Sequence, residues 1–530
     1  MKFTFRRGLA SGAAAALMLG AAVTTSTAAH AADDDSDELV MYVTNWDAID
    51  TVKRLDASGA ANHITTINYA FGDVAPRDLS REEASGHPDF PETGLGMDWE
   101  DYDEDEHGPI VCKPVEAEDE FFRTFSAEES ISGQEEEGGL IRQLELLKEK
   151  HPQIKILPSL GGATLSKWFS IASQTEESRA TLIDSCVDLW INGNYTDADE
   201  GEADNFAGVF DGVDLDWEFP AYVDPDTGEP EDRSGNELSI SANDAENYAL
   251  LAKEFRPALE DALGGETWVT AATPASPWTG DGYDFPALAE HLDWYAVMAY
   301  DLHGTWEDEV GYGAGIEDKE WGVSDTVDMY INANGVDPRK VVLGVPFYGP
   351  SWDGVEPEDD GSFFYEGELW GAPAMLGVDG DPDRDYNWRE IKALVENEGL
   401  EIQWDDEYQA AFIYDDENQK FYSFDDPRAL NAKIDQLINE FGLRGAMAWE
   451  FDADTNDAEL THVLADGLNI PYVDTVPLPD AGDDNGDDNS SGGSDSGDDN
   501  GSTSGDGASS SDDDDEEPAG AVTLEPSYTG

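Results

Sequence analysis

Short apolar runs alternate with helical patterns along the chain from Leu39 onward. Eight of these runs are almost continuously apolar, which is typical of strands that are buried on both faces of a parallel sheet. They span 39–46, 63–71, 154–160, 209–219, 267–274, 293–301, 340–348 and 444–451. Because helical patterns separate most of them, we predict an α/β fold, a parallel (β/α)8 barrel.

The helical segments carry their own start and stop signals. The clearest one has Asp426 as a predicted N-cap and Pro427 in its first turn, and Gly442 ends it. Two further helices are predicted over 139–150 and before the fifth strand. The apolar positions that share a helix face are Leu140, Leu144 and Leu147; Leu251, Phe255 and Leu259; and Leu430, Ile434, Leu437 and Phe441.

Two connections are longer than a simple crossover. The acidic stretch 73–137 follows the second strand, and we expect extended loops there. The stretch 349–425 contains the strand-like pieces AAFIYD and KFYSF, which predict a small α+β subdomain inserted between strands 7 and 8. Insertions on the βα loops of such a barrel lie at the face where active sites form.

The two ends of the chain differ from the patterned region. The first 31 residues have a basic start, a small-apolar middle and the ending Ala-His-Ala, which is typical of a secretory signal. The pair Arg6-Arg7 favours the twin-arginine route. The predicted divisions are a signal at 1–31, the barrel at 32–475, a disordered Asp/Gly/Ser-rich linker at 476–518 and a short tail at 519–530. We therefore expect a secreted, extracellular protein.

The charge is strongly negative, with 119 Asp and Glu against 28 Lys and Arg and a formal net charge of -91 over 530 residues. Such a surface repels nucleic acid and anionic membranes at long range. Acid blocks in tails are one explanation. Because acids also occur throughout the patterned segments, we favour a surface that stays hydrated in high salt, as in a halophile.

The chain has two cysteines, Cys112 and Cys186. A disulfide between them cannot be assigned from the sequence alone. Cys186 lies in TLIDSCVDLWI, a segment typical of a buried helix, and we favour an inert core thiol there. The sequence contains no spacing typical of a zinc site.

The stretch DGVDLDWEF, 211–219, carries the clearest candidate chemistry. Strand side chains alternate, so Asp214, Asp216 and Glu218 face the same way, about 6.6 Å apart along the chain. Asp211 falls on the other face and is predicted to be structural. Enclosed like charges cannot all ionise cheaply, so a proton is shared within the group and a carboxyl group can act as a general acid. Glu218 comes last and is expected nearest the open rim.

These residues resemble a known family. DGVDLDWE fits the DxxDxDxE signature of glycoside hydrolase family 18, and the resemblance covers about 39–470. MYVTNW, INYAF, SLGG, MAYD and GAMAWE match the family at the first, second, third, sixth and eighth strands. The insertion resembles that of the deep-cleft chitinase subgroup. The resemblance implies a chitinase that cleaves β-1,4 linkages between N-acetylglucosamine units by a substrate-assisted retaining mechanism.

The resemblance also implies roles for individual residues. Glu218 would protonate the glycosidic oxygen, Asp216 would orient the substrate's acetamido group, and Asp214 would share a proton with Asp216. The other implied site residues are Tyr300 on the acetamido oxygen, Met298 and Asp301 along the same sugar site, Trp449 beneath the sugar, and Tyr42 and Ser159 supporting Asp214. The implied partners are chitin or its oligosaccharides, and we expect a monomer without cofactor or metal.

Further aromatic residues are candidate sugar platforms at the rim, and His303 is a candidate rim residue. After SLGG the family often has an aromatic residue, whereas this chain has Ala163 and Thr164. The rim contact is then either absent or supplied from elsewhere, for example by Trp168. The other candidate platforms are Trp278, Trp306 and Trp352.

Three alternatives stay open at this point. A non-catalytic lectin of the same fold typically loses the last acid of the signature, which is present here as Glu218. An endo-β-N-acetylglucosaminidase acting on N-glycans usually lacks the inserted subdomain. A different kind of site, with Asp211, Asp214, Asp216 and Glu218 around a divalent metal, would depend on that metal and be sensitive to a chelator.

Overall fold

The computed structural model describes residues 36–46, 48–80, 83–84, 97–197, 201–304, 310–355, 374–375 and 385–478. The described residues from Asp37 onward belong to one compact unit. The predicted signal, nearly all of the predicted linker and the short tail lie outside the described residues.

Eight parallel strands form the centre of the fold. They are β1 (Glu38–Thr44), β2 (Thr66–Pro76), β3 (Lys155–Gly161), β4 (Gly212–Asp216), β5 (Trp268–Pro274), β6 (Tyr295–Met298), β7 (Val341–Pro346) and β8 (Gly445–Trp449). Each strand pairs with the next, and β8 pairs with β1, so the sheet is closed. The predicted (β/α)8 barrel is confirmed, and each predicted apolar run overlaps one of these strands.

Helices cover the outside of the barrel, and further helices lie in its long connections and in the insertion after β7. The α-helices span Ala48–Ala57, Glu104–His107, Gly139–Lys150, Phe169–Ser173, Glu176–Cys186, Asp244–Leu263, Pro277–Gly280, Phe285–Ala289, Val323–Asp328, Trp388–Glu398, Pro427–Lys433, Asn439–Phe441 and Glu459–Gly467. The Asp426 side chain caps its helix by accepting from the Ala429 N–H at 2.8 Å, and Gly442 ends that helical region at φ 69°, as predicted. Within the described residues, the helices are too short or too polar to cross a membrane.

The alternation of side chains along the strands produces two apolar layers. On β4, Val213 and Leu215 point outward and pack in the cluster that includes Leu251 and Phe255 of the covering helix. On β1, Tyr42 belongs to a second cluster that fills the barrel interior. The acids at alternate β4 positions therefore face the interior, because Val213 and Leu215 occupy the outer face.

The long connection after β2 is more ordered than predicted. A short strand, Ile110–Lys113, pairs antiparallel with the end of β2, and a π-helical turn follows at Glu118–Phe122. Glu120 is fully buried and accepts hydrogen bonds from Asn45 and Tyr69. The expectation of extended loops over 73–137 was wrong for these parts, because a few apolar residues in the acidic stretch pack onto the barrel.

The predicted insertion after β7 is an antiparallel sheet with a helix. Its strands, in sheet order, are Ala374–Met375, Ser351–Asp353, Lys420–Phe424, Ala410–Asp415 and Gln403–Asp405, and its helix is Trp388–Glu398. The pieces AAFIYD and KFYSF are its two longest strands. The insertion therefore rises from the carboxyl end of β7, at the C-terminal face of the barrel.

Cys112 and Cys186 form a disulfide, with their Cα atoms 4.9 Å apart. The prediction of an inert thiol at Cys186 was wrong. Helix Glu176–Cys186 packs beside strand Ile110–Lys113, so the two cysteines meet although 74 residues separate them. The bond ties the long acidic connection to the outer layer of helices.

Replacing both cysteines by serine is expected to lower the free energy of unfolding by about 2–4 kcal/mol, because the disulfide closes a long loop in the unfolded chain. Denaturant unfolding of the wild type and of the Cys112→Ser/Cys186→Ser variant measures the difference. A reducing agent should destabilise the wild type and leave the double variant unchanged. Equal unfolding free energies for the two proteins would contradict a stabilising role.

Candidate active site

Three acids of the DxxDxDxE stretch lie at or just beyond the carboxyl end of β4. Asp214 is fully buried, Asp216 is 3% exposed, and Glu218, which follows the strand, is half-buried nearer the rim. Asp211 does not join them. Its carboxylate accepts from the Lys148 ammonium at 2.6 Å and from the Ile156 N–H at 2.9 Å, on the outer side of the sheet.

Asp214 is held by hydroxyl groups from three other strands. The Tyr42 and Ser159 hydroxyls each donate to Asp214 Oδ2 at 2.8 Å, and the Thr270 hydroxyl donates to Oδ1. Ser159 and Thr270 sit directly beside Asp214 in the strand register. Burial raises the pKa of Asp214, while these three hydrogen bonds favour its charged form and oppose that shift.

Asp216 lies between the other two acids and has a different environment. Its Oδ1 atom is buried and has no hydrogen-bond partner among the described residues. Burial, then the charge of Glu218, then that of Asp214, raises the pKa of Asp216 well above its usual range. A buried acceptor without a donor is costly, so this oxygen can bind an N–H group that enters the barrel mouth.

Glu218 is fixed through its backbone. Its N–H donates to the Ser166 hydroxyl at 2.9 Å, and that hydroxyl lies 3.0 Å from the Asp216 carbonyl. The Tyr248 and Tyr283 hydroxyls donate to the carbonyls of Leu215 and Trp217 at 2.8 and 2.9 Å. Side-chain hydroxyls thus bind backbone groups where the β4 ladder ends, which holds Glu218 at the rim.

Residues from β6, β7 and β8 surround the acids. Tyr300 is buried, and its hydroxyl contacts the Met447 sulfur at 3.8 Å. Asp301 follows with φ 53°, and both its carboxylate oxygens lie 2.7 Å from the Tyr348 hydroxyl. Met298, at the end of β6, is half-buried. Burial, and then the charge of Asp301, raises the pKa of Tyr300, so its hydroxyl remains a neutral donor.

Trp449 is the last residue of β8 and is half-buried. It contacts one aromatic ring from β1 and one from β2. Its indole stacks on the Phe71 ring at 5.6 Å and lies 5.2 Å from the Tyr42 ring. Tyr42 also binds Asp214, so the aromatic floor and the deepest acid share a support. An apolar floor beside a row of acids suits a sugar ring, which has both apolar and hydroxyl-bearing edges.

The candidate rim aromatic residues differ in how much of each side chain is exposed. Trp168 is 1% exposed and its indole N–H donates to the Ala84 carbonyl, so the expectation that it contacts sugar at the rim was wrong. Trp352 is also 1% exposed, in the core of the insertion, and the platform predicted there was wrong. Trp278 is 60% exposed at the C-terminal face. Trp306 lies outside the described residues.

Two further expectations concern His303 and a metal site. The His303 ring nitrogen Nε2 lies 3.4 Å from Asp318 Oδ2, so this histidine pairs with a loop acid. Since Asp211 faces away from the barrel interior, the four-acid metal hypothesis loses one ligand. Within the described part of the chain, histidines, cysteines and acids form no group of three or more that could hold a metal ion.

Several residues of the site were missed from the sequence. Thr270 could have been found, because it alternates with Val269 and Ala271 and so faces the interior of the neighbouring strand. Tyr348 lies directly after β7, at the same rim as the MAYD motif. Ser166, Tyr248 and Tyr283 carry no signal, since they bind backbone atoms from loops and helices.

The family model for glycosyl hydrolases family 18 matches residues 38–454. The chain belongs to this family. It is 28% identical over 471 residues to chitinase A1 of Niallia circulans, an alignment that covers 83% of this chain and 60% of that protein. It is 30% identical to chitinase A of Pseudoalteromonas piscicida, covering 63% of this chain and 42% of that one. The chain spans roughly half of the length of such curated relatives.

Solved structures of the family resemble this fold over most of the chain. The catalytic domain of chitinase B from Arthrobacter TAD20 is 28% identical with a TM-score of 0.65, covering 83% of this chain and 96% of that chain. ChiA74 from Bacillus thuringiensis is 25% identical with a TM-score of 0.63, covering 84% and 71%. The family 18 barrel therefore includes the acids and aromatic residues described above.

Burial, and then the neighbouring charge of Asp301, raises the pKa of Glu218 to about 8. The carboxyl group should thus be protonated below pH 8 and lose its proton above it. In Asp301→Asn, one negative charge is removed, so the pKa of Glu218 should fall. Carbon-13 NMR of labelled glutamate carboxyl groups measures this, with Glu218→Gln assigning the signal.

Asp261→Asn, at an exposed position on helix Asp244–Leu263, is the matched control and should leave the pKa of Glu218 unchanged. A Glu218 carboxyl that titrates near the usual glutamate value of about 4.3 in the folded protein would show that the barrel does not hold it protonated.

Proposed function

We propose that this chain is a secreted chitinase that hydrolyses β-1,4 linkages between N-acetylglucosamine units with retention of configuration. The observation that carries the proposal is the buried Asp216 Oδ1, which has no partner among the described residues and lies between Glu218, whose pKa is raised to about 8, and the hydrogen-bonded Asp214. An acetamido N–H is a donor that would satisfy this oxygen. The names of chitinase A1 and of the chitinase B catalytic domain, which are similar to this chain, agree with this substrate class.

In the first step, the Glu218 carboxyl group gives its proton to the glycosidic oxygen as the bond from C1 to that oxygen breaks. The carbonyl oxygen of the substrate's own 2-acetamido group bonds to C1, which gives an oxazolinium ion. Asp216 accepts from the acetamido N–H and stabilises the positive charge, and the Tyr300 hydroxyl donates to the acetamido oxygen. The sugar rests on the Trp449 indole.

In the second step, water attacks C1 from the face that the leaving group vacated. Its proton goes to the Glu218 carboxylate, and the bond between C1 and the acetamido oxygen breaks. Both the configuration at C1 and the protonated state of Glu218 are restored. Asp214 holds its place through the hydroxyls of Tyr42, Ser159 and Thr270, and it shares a proton with Asp216 across the cycle.

The insertion after β7 supports a deep-cleft chitinase over an enzyme acting on branched N-glycans. It rises from the same barrel face as Glu218, and we expect it to form one wall beside the site. A wall of this kind favours a long, unbranched chain that lies in a cleft. The presence of Glu218 favours catalysis over a lectin.

Glu218→Gln should lower hydrolysis of N-acetylglucosamine oligomers by at least about 100-fold and retain oligomer binding, because the amide cannot supply the proton. Chromatography of the products and calorimetric titration measure the two effects. Glu260→Gln, at an exposed helix position, is the matched control and should behave as wild type. The wild type should release β anomers first and leave fully deacetylated polymer uncut.

Each proposed element has its own contradicting result. If Glu218→Gln hydrolyses oligomers at the wild-type rate, Glu218 is not the general acid. If deacetylated polymer is cleaved as fast as acetylated polymer, the acetamido group is not the nucleophile. Binding without any hydrolysis by the wild type would favour the lectin, and cleavage of N-glycan cores alone would favour the endo-β-N-acetylglucosaminidase.

We further propose that the protein is exported and adapted to high salt. The signal-like first 31 residues and the Cys112–Cys186 disulfide support export, since disulfides persist in oxidising compartments. The net charge of -91 supports salt adaptation. Exposed acids such as Glu260 and Asp261 occur even on the barrel helices, so the charge is not confined to the ends of the chain.

If repulsion between surface carboxylates opposes folding, the thermal unfolding midpoint should rise as NaCl increases from 0.05 M to roughly 2 M. The reason is that the Debye length falls to about 3 Å at 1 M salt. Calorimetry across this range measures the midpoint, and sucrose solutions control for general solvent exclusion. A midpoint that is highest in dilute buffer would contradict salt adaptation.

A further inference from the structure

Asp244 is a buried acid that the proposed mechanism does not use. It is the first residue of helix Asp244–Leu263 and is 1% exposed. Burial raises the pKa of Asp244 to about 6, so its carboxyl group is mostly charged at neutral pH. A buried charge is costly unless donors bind it, so the donors of this carboxylate indicate which segments it holds together.

Three donors bind the Asp244 carboxylate. The Ser170 hydroxyl donates to Oδ1 at 2.7 Å, and the N–H groups of Ser241 and Ala221 donate to Oδ2 at 2.9 and 3.3 Å. Ser241 lies just before the helix, so its contact is local to the helix start. Ala221 is different, because it belongs to the segment that follows β4 and lies three residues beyond Glu218.

The contact with Ala221 completes a ring of hydrogen bonds around the catalytic segment. The Glu218 N–H donates to the Ser166 hydroxyl at 2.9 Å. Ser166 and Ser170 lie four residues apart on the connection after β3. Ser170 donates to Asp244, and Asp244 accepts from Ala221. The ring therefore returns to the segment that carries Glu218, and both ends of this segment are tied to the same connection.

The helix that begins with Asp244 also binds the chain on the other side of Glu218. The Tyr248 hydroxyl, four residues further along this helix, donates to the Leu215 carbonyl at 2.8 Å. Leu215 precedes Glu218 and Ala221 follows it, so one helix holds the backbone before and after the acid. Each of these contacts satisfies a backbone group where the β4 ladder has ended.

We propose that Asp244 is a positioning residue, which fixes the Glu218 carboxyl group through the backbone of Ala221. The proposal rests on the proposed function, in which Glu218 must reach the glycosidic oxygen. Proton transfer needs the two heavy atoms about 2.6–3.2 Å apart, and a displacement of about 1 Å can lower the rate roughly 100-fold. Without the Asp244 carboxylate, the buried Ala221 N–H loses its acceptor, and the segment shifts to find another.

Steady-state kinetics of the full chain at about pH 7 provide the first test. Asp244→Ala should lower kcat on N-acetylglucosamine oligomers by about 10- to 100-fold and change KM by less than about twofold. Asp244→Asn should restore most of kcat, because its amide oxygen can accept from both N–H groups and its NH2 group can donate to the Ser170 hydroxyl. An unchanged kcat in Asp244→Ala, or an Asp244→Asn variant that is equally slow, would overturn the proposal.

Two controls separate positioning from a loss of stability. Asp261→Ala removes an exposed acid from the same helix and should behave as wild type. The double serine variant that lacks the disulfide is destabilised at another place, and it should keep the wild-type kcat below its thermal midpoint. An equal loss of kcat in the disulfide variant would assign the effect to stability alone and overturn the positioning role.

Ser170→Ala keeps the proposal testable if Asp244→Ala does not fold. It removes one of the three donors to the carboxylate and leaves the helix start intact. The carboxylate is then held less firmly, so kcat should fall by about threefold with KM unchanged. A wild-type kcat in this variant would overturn the proposal.

Carbon-13 NMR of the Glu218 carboxyl group tests the same inference without substrate. Burial, and then the charge of Asp301, raises the pKa of Glu218 to about 8, so this pKa depends on where the carboxyl group lies. It should fall towards the usual glutamate value in Asp244→Ala and stay near the wild-type value in Asp244→Asn. The same pKa in Asp244→Ala as in the wild type would contradict the positioning role.

The outcomes distinguish this inference from the proposed function. If the wild type hydrolyses chitin and Asp244→Ala has the wild-type kcat, the positioning role is wrong and the function stands. If the wild type does not hydrolyse N-acetylglucosamine oligomers, the proposed function is wrong. The titration of Glu218 then still decides whether Asp244 fixes that carboxyl group.

Discussion

The enclosure of three carboxyl groups at the mouth of one barrel is the constraint on which the site depends. In water each would be charged near neutral pH, but burial removes the solvent that stabilises those charges. Three hydroxyls bind Asp214 and favour its charge, whereas Asp216 Oδ1 has no partner among the described residues. The site therefore combines a hydrogen-bonded acid, a buried acceptor without a partner among the described residues, and a rim acid whose pKa is raised to about 8, all from carboxyl groups in one short stretch.

Geometry at the end of β4 is as important as electrostatics. A strand that leaves its ladder has free backbone groups, and here hydroxyls of Ser166, Tyr248 and Tyr283 bind them. Each of these residues comes from a different connecting segment, so the position of Glu218 depends on several loops and helices at once. Two of these segments also carry Tyr222 and Trp278. The position of Glu218 and the position of these two aromatic side chains therefore depend on the same loops.

Features with a strong local signal were predicted well from the sequence. The eight strands follow from apolar runs, and the inward direction of Asp214 and Asp216 follows from the alternation with Val213 and Leu215. The insertion was visible as two strand-like pieces. What could not be predicted depends on side chains meeting across the fold. Nothing local distinguishes buried Trp168 from exposed Trp278, and the pairing of Cys112 with Cys186 requires the packing of a helix on a distant strand.

The strongly acidic surface also bears on how the proposed substrate, a neutral polymer, would bind. In concentrated salt, ionic contacts are screened within a few ångströms, but contact between apolar faces is not weakened. A sugar chain offers no charge to a carboxylate surface, so its affinity must come from aromatic faces and hydrogen bonds. Arg233 is one of 28 lysine and arginine residues in the chain, and its guanidinium lies against two aromatic rings as well as beside the exposed Glu231 carboxylate. This use is consistent with a surface in which fixed aromatic faces, more than charge, select the ligand.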